Sequence, residues 1–184
     1  MAILPLPGEL VPLHIFEARY EQLLQDAETR DITFGIFFND PINESKIGSV
    51  MKLESIIKRY QTGESDIIVK CHDIFYLDTL YKNFRTKMYP GGEVQFWNVN
   101  LNEMAGGKLG SLFLNYLNQR HITRHPDFFS AYQIAQELSL TMRERYKFLN
   151  MEGSGRENFL INQLKLQRHV LEQVEKSRDT YYLN

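Results

Sequence analysis

Val94-Gln95-Phe96-Trp97-Asn98-Val99-Asn100-Leu101-Asn102-Glu103-Met104-Ala105-Gly106-Gly107-Lys108-Leu109-Gly110-Ser111-Leu112-Phe113-Leu114-Asn115-Tyr116-Leu117 is where the hydrophobic period of this chain changes. Before Leu101 the apolar residues come in short β-branched and aromatic runs. After Gly106-Gly107 they recur every three to four residues, and Leu109, Leu112, Phe113, Tyr116 and Leu117 form one helical stripe. A strand-rich first part followed by a helical second part predicts an α+β chain divided at 1–104 and 105–184.

Working back from that switch, the runs Ile32–Phe38, Ile47–Tyr60, Ile67–Leu80 and Val94–Leu101 are separated by turn chemistry. The turns are Asn39-Asp40-Pro41, Thr62-Gly63-Glu64-Ser65 and Tyr89-Pro90-Gly91-Gly92. Several strands joined by tight turns predict an antiparallel barrel or sandwich. One helix interrupts them directly after the first strand, since Phe16, Tyr20, Leu23, Leu24 and Ala27 follow the stripe of a helix buried on one face.

Working forward, three helix starts carry a Ser or Thr followed three residues later by Glu or Gln: Ser130 with Gln133, Thr141 with Glu144, and Ser154 with Glu157. In such a reciprocal cap the hydroxyl accepts from an orphan N–H, and the longer side chain reaches back to the cap residue's own N–H. The last helix is predicted from about Arg156 to Ser177, with Leu160, Leu164, Leu171 and Val174 on its buried face.

The composition bounds the class. At 184 residues, 43% hydrophobic and 24% charged, with a single cysteine, the chain is neither disordered, nor collagen-like, nor a disulfide scaffold. No apolar run approaches the roughly 20 residues of a membrane span, and Met1-Ala2-Ile3-Leu4-Pro5 lacks the charged start of a signal peptide, so a cytoplasmic protein is expected, with no membrane partner. The net charge of −2 divides unevenly. Residues 1–104 hold 10 Lys+Arg and 15 Asp+Glu, a net of −5, and residues 105–184 hold 11 and 8, a net of +3. Neither balance fits a nucleic-acid binder, whose affinity comes from clustered cations on phosphates.

The stretch Leu4-Pro5-Leu6-Pro7-Gly8-Glu9-Leu10-Val11-Pro12-Leu13-His14-Ile15-Phe16-Glu17-Ala18-Arg19-Tyr20 closely resembles the opening of the Lon protease amino-terminal, substrate-binding domain family. That family shows Pro-Gly, then Leu-Pro-Leu-His-Ile-Phe-Glu, then Arg-Tyr. Phe34-Gly35-Ile36, Ile47-Gly48-Ser49-Val50 and Asp66-Ile67-Ile68-Val69-Lys70 are similar to its later strands, in order. Leu138-Ser139-Leu140-Thr141 through Glu144-Arg145-Tyr146-Lys147-Phe148-Leu149 is similar to one of its helix starts. The resemblance implies a PUA-like antiparallel β pseudo-barrel followed by an α-helical bundle, and a role in capturing unfolded polypeptides. The family also opens with Pro-Leu-Phe-Pro-Leu ahead of the Pro-Gly, whereas this sequence begins at Met1-Ala2-Ile3, so a chain extended upstream of Met1 is expected to melt higher.

The ATPase and Ser-Lys peptidase domains of the full protease do not fit within this length. Gly106-Gly107-Lys108-Leu109 is no phosphate loop, because Asn102 stands where the glycine is needed and Leu109 where the hydroxyl is needed. No cofactor is expected.

Among titratable residues, His14, Glu17 and Arg19 are close enough in sequence for acid–base work. They fall where a strand turns into a helix, so a structural role is expected for the motif residues Pro7, Gly8, His14, Phe16, Glu17, Arg19 and Tyr20. Glu17 would answer the helix dipole, and His14 would satisfy a buried backbone group. His121 and His125 have the spacing of a helical metal pair, but Pro126 follows and no further ligand completes a set, so no metal is expected. Cys71, His72 and Asp73 alternate across a strand and cannot act together, which leaves Cys71 as a small core residue. Ser154 is a cap rather than a nucleophile, since no strand precedes it.

What remains is binding surface. Met88 and Tyr89 with Phe96 and Trp97 lie around the Gly91-Gly92 turn and are the candidate contacts for unfolded or apolar polypeptide segments. The expected function is a non-enzymatic polypeptide-binding or adaptor module, with the bound segment held between the β and helical parts and passed to a separate protease or chaperone. The alternative is RNA or small-ligand binding by the barrel, against which its acidic balance argues.

Overall fold

A computed structural model describes residues 2–126 and 128–181, with side chains described up to Val174. Met1, at which the first strand is expected to be clipped, lies outside the described residues. The chain divides into two compact units, Met1–Leu101 and Asn102–Asn184.

The first unit is one antiparallel sheet with a single helix. Its elements are β1 (Leu10–Ile15), α1 (Ala18–Arg30), β2 (Phe34–Phe37), β3 (Ile47–Arg59), β4 (Ser65–Tyr81) and β5 (Gly91–Phe96). The 17-residue β4 organises it. One edge of β4 takes β3, from Arg59 opposite Ser65 to Ile47 opposite Tyr76, and β2 lies beyond β3. The other edge takes β1 along residues 65–70 and β5 along residues 75–81. Between them the chain crosses from one neighbour to the other: the Gly8 N–H donates to the Cys71 carbonyl at 2.7 Å, and the Trp97 N–H donates to that of Ile74 at 3.0 Å. Every strand pair described is antiparallel, including β1 with β4, which are separated in sequence by α1, β2 and β3.

Alternation decides which side chains enter the core. In β4, Ile67, Val69 and Cys71 point inward, and Ile74 and Phe75 continue the core. The Phe75 ring lies across β2 and β3 where Gly35 and Gly48 leave space for it. A side chain at Gly48 would enter that ring and stand 2.7 Å from the Ile36 carbonyl, so the Ile47-Gly48 pair is a packing requirement. Leu4 and Leu6 are fully buried although they belong to no strand, and the Pro5 carbonyl accepts from the buried Ser49 hydroxyl at 2.7 Å.

The structure corrects two of the sequence expectations in this unit. Helical periodicity predicts burial of Phe16 and Tyr20, but α1 starts at Ala18, Phe16 lies outside it and is exposed, and the buried residues are Leu24, Asp26 and Ala27. The apolar run predicts a last strand over Val94–Leu101 after a Gly-Gly turn. Instead Gly91 and Gly92 open β5, opposite Tyr81 and Leu80, the strand ends at Phe96, and the Phe84 ring occupies the space a side chain at Gly91 would need.

The second unit holds α2 (Gly107–Gln119), α3 (Ala131–Glu137), α4 (Met142–Leu149) and α5 (Ser154–Tyr181), with α2, α3 and α4 all packed on α5. Its core is Leu109, Phe113, Tyr116 and Leu117 of α2 against Leu160, Ile161 and Leu164 of α5, with Phe148 and Leu149 of α4 and Ile134 and Ala135 of α3. Polar ties accompany the packing. Arg168 donates to Gln119 at 3.1 Å, Gln163 to Glu144 at 3.1 Å, and Arg156 to the Tyr132 hydroxyl at 3.0 Å and the Met151 carbonyl at 2.9 Å. Val174, expected on the buried face of α5, is exposed, as are Leu166 and Val170.

Two of the three predicted caps form: Ser130 with Gln133 and Thr141 with Glu144 are complete reciprocal boxes. The third does not. Ser154 is already inside α5, and the Glu157 carboxylate accepts instead from the N–H of Gly106, the residue before α2, at 2.7 Å.

Among the described residues, no helix is long and apolar enough to cross a membrane.

Candidate functional site

The four residues singled out as polypeptide contacts do not form one surface. Met88 and Tyr89 belong to the β4–β5 connection, which docks on α1. The Met88 N–H donates to the Gln22 side chain at 2.8 Å, and the Tyr89 hydroxyl donates to Asp26 at 2.6 Å. Asp26 also takes the Lys87 ammonium at 2.6 Å and lies 3.7 Å from Arg30. These hydrogen bonds, from Lys87 first and then Tyr89, hold the Asp26 carboxyl below the ordinary aspartate value. Burial, with the Asp26 hydrogen bond second, pushes the Tyr89 phenol up to about 12. Tyr89 is only 7% exposed, so it is a core anchor for this connection and offers no contact surface. Met88 remains exposed.

Phe96 and Trp97 are neighbours on the chain and face opposite ways. Trp97 packs on Tyr76, ring centroids 5.2 Å apart, on the side of the sheet where Tyr76 opposes Gln95. Phe96 lies on the other side, opposite Phe75, and is 53% exposed. The register places Leu77 opposite Val94 and Leu80 opposite Gly92, so Phe96, Val94, Leu77 and Leu80 share one face of the β4–β5 ribbon. Leu80 is 59% exposed, while Leu77 and Val94 are half-buried between it and Phe96. The bulge between Leu77 and Thr79 puts Leu80 on this face, because the extra residue shifts the alternation by one. Strict alternation along the sequence would have sent Leu80 to the opposite side, which is why sequence reasoning missed it.

Among the motif residues at the start, His14 departs from the backbone partner expected of it. Pro7 is buried, Gly8 is half-buried, and the Gly8 N–H joins the edge of β4. His14 is about half exposed and, among the described residues, satisfies no backbone group. Its Nδ1 lies 2.7 Å from Asp66 and its Nε2 3.8 Å from Glu64, and its ring stacks on exposed Phe16 with centroids 5.9 Å apart. Asp66, opposite His14 in the ladder, also accepts from the Tyr60 hydroxyl at 2.7 Å. The Tyr60 bond first and the His14 bond second lower the Asp66 carboxyl. Glu17 precedes α1 without capping it by its side chain, and its carboxylate binds Arg19 at 2.6 Å while the Arg19 guanidinium covers the Tyr20 ring at 4.6 Å. The cluster joins β1 to the β3–β4 hairpin through side chains, with no nucleophile among the groups named.

The remaining candidates separate. Cys71 is fully buried, and burial pushes its thiol up to about 12, far from a reactive thiolate. His72 is exposed on the opposite face of the strand. His121 follows the end of α2 in the left-handed conformation (φ 57°), with its N–H on Asn118 and that of Ile122 on Leu117. His125 is therefore not one turn further along the same helix, and its Nδ1 lies 3.0 Å from the Pro126 carbonyl. Among the described residues no group of three or more His, Cys, Asp or Glu could hold a metal ion.

Neither a protein-family model nor a curated protein sequence matches the chain. Solved structures do. A Lon N-terminal domain protein from Xanthomonas campestris superposes with a TM-score of 0.67 at 17% identity, covering 90% of this chain and 94% of that one. The N-terminal domain of the Mycobacterium avium complex Lon protease superposes with a TM-score of 0.59 at 16% identity, covering 88% and 92%. The fold is thus that of the Lon N-terminal domain, antiparallel sheet first and helices after, and that domain spans nearly all of the 184 residues.

Proposed function

We propose that this chain, carrying the fold of a Lon N-terminal domain, is a non-enzymatic module that binds exposed apolar segments of polypeptides and presents them to a separate protease or chaperone. The observation that carries this reading is the apolar face of the β4–β5 ribbon, where Leu80 and Phe96 stand more than half exposed with Leu77 and Val94 between them. An aromatic and a leucine held in place by strands rather than by a loop give an anchor pair whose conformational entropy is largely lost on folding, not on binding. The second solved relative being part of a protease adds the link to proteolysis.

The test is binding of a permanently unfolded polypeptide, reduced and carboxymethylated α-lactalbumin, followed by fluorescence anisotropy. Leu80→Ser and Phe96→Ser are expected to weaken capture about tenfold or more each, as hot-spot truncations do. Because both side chains are exposed, their melting temperatures should stay close to that of the parent. Tyr89→Phe should leave capture unchanged. Equal retention of native and unfolded α-lactalbumin by the parent chain would overturn the reading.

A further inference from the structure

A second surface lies away from the β4–β5 ribbon, in the cleft that α1 and the β3–β4 hairpin leave between them. Its volume is about 290 Å³, and it is lined by Glu21, Leu24, Gln25 and Glu28 of the helix with Arg59 and Gly63 of the hairpin. The two carboxylates are not equivalent. Glu28 is neutralised by Arg59 at 2.6 Å. Glu21, half-buried, has no ion pair and no side-chain hydrogen bond among the described residues. Gly63 brings the turn backbone against it: a side chain added there would start 3.4 Å from Oε1, and its φ of +100° is one that glycine adopts without strain.

A half-buried carboxylate without a partner has lost hydration and gained nothing in exchange. Glu21 lies in the first turn of α1. The surrounding unit is acidic as well, residues 1–101 carrying 14 Asp+Glu against 10 Lys+Arg. The complement to this cleft is a cation on a stem long enough to enter it, with the head reaching Glu21. We propose that the cleft between α1 and the β3–β4 hairpin receives a lysine or arginine side chain of a bound polypeptide, with Glu21 as the acceptor. The source of that side chain rests on the polypeptide reading above. The site itself does not, and the experiment separates the two.

The whole chain, labelled with ¹⁵N, is titrated with Nα-acetyl-arginine amide, Nα-acetyl-lysine amide, Nα-acetyl-norleucine amide and spermidine. Saturable shifts of the Gly63 and Glu21 amides are expected with the arginine and lysine compounds and not with norleucine. Glu21→Gln should weaken this binding about tenfold, whereas Glu54→Gln, a charge-matched change at an exposed position on β3, should leave it unchanged. The proposal is overturned if norleucine shifts the same amides, if Glu54→Gln weakens binding as much as Glu21→Gln, if spermidine binds and the capped amino acids do not, or if no amide near the cleft moves. Because the ligands are single capped residues, a negative result here leaves capture by Leu80 and Phe96 standing, and loss of that capture leaves this result standing.

Discussion

Asn43 is a small residue with a large structural share. It is buried at the β2–β3 turn, where its Nδ2 donates to the Phe38 carbonyl at 2.7 Å and to the Ile47 carbonyl at 2.8 Å, while its Oδ1 accepts from the Ile47 N–H at 2.9 Å. Asn43→Ala removes three bonds and strands the Ile47 N–H among apolar side chains, at a cost of about 2–3 kcal/mol. Denaturant unfolding measures it; a loss within about 0.5 kcal/mol, typical of a surface change, would contradict the buried staple. The sequence marks Asn39-Asp40-Pro41 as the turn and passes over Asn43, because an asparagine in a turn looks alike whether its amide faces water or two strand carbonyls. Gly48 is legible in the opposite sense. A glycine inside an apolar strand already signals a close approach, and the structure supplies the approaching ring, Phe75.

At the scale of the element, the caps divide by the distance over which they act. The pairs Ser130–Gln133 and Thr141–Glu144 are read correctly from sequence because everything they need lies within four residues. Ser154–Glu157 has the same pattern and a different outcome, since the Glu157 carboxylate meets the N–H of Gly106, 51 residues away in sequence. Ser154→Ala is therefore expected to change stability by less than about 0.5 kcal/mol, whereas Glu157→Ala, which removes a charged acceptor at the start of α2, should cost about 1–2 kcal/mol. Paired thermal melts decide it, and the reverse ranking would restore the local cap. The β4–β5 ribbon shows the limit from the side of the strands. Its bulge at Leu77/Thr79 turns Leu80 onto the face of Phe96, and one residue of slip separates a candidate site from its opposite side.

At the scale of the whole molecule, the first unit is tied by a buried charge that nothing in the sequence pattern singles out. Asp26 sits on the inward arc of α1 and joins it to a connection more than 60 residues further on, through Lys87 and Tyr89. Its carboxyl is lowered in the folded state, so the stability it contributes is fully present above the ordinary aspartate value of 3.8 and is lost as pH falls through the lowered one. Asp66, lowered chiefly by Tyr60, acts in the same direction. Melting temperature followed from pH 7 to pH 2 should fall steeply below about pH 4. Asp26→Asn should lower it at pH 7 and flatten the acid decline; an unaltered decline would remove Asp26 from that role.

The sequence by itself determined the order of elements, the change from strands to helices, two of the caps and the resemblance whose fold the superposed Lon N-terminal domains share. Each of these depends on periodicity or on groups a few residues apart, which is the range over which a chain constrains itself before it folds. Only the tertiary structure decided that Tyr89 is an anchor and Leu80 is surface, that His14 faces two carboxylates, and that Glu157 serves another helix. Exposure and partnership are properties of chain segments brought together from distant positions, and the same residue type at the same spacing takes either role according to what the fold places opposite it.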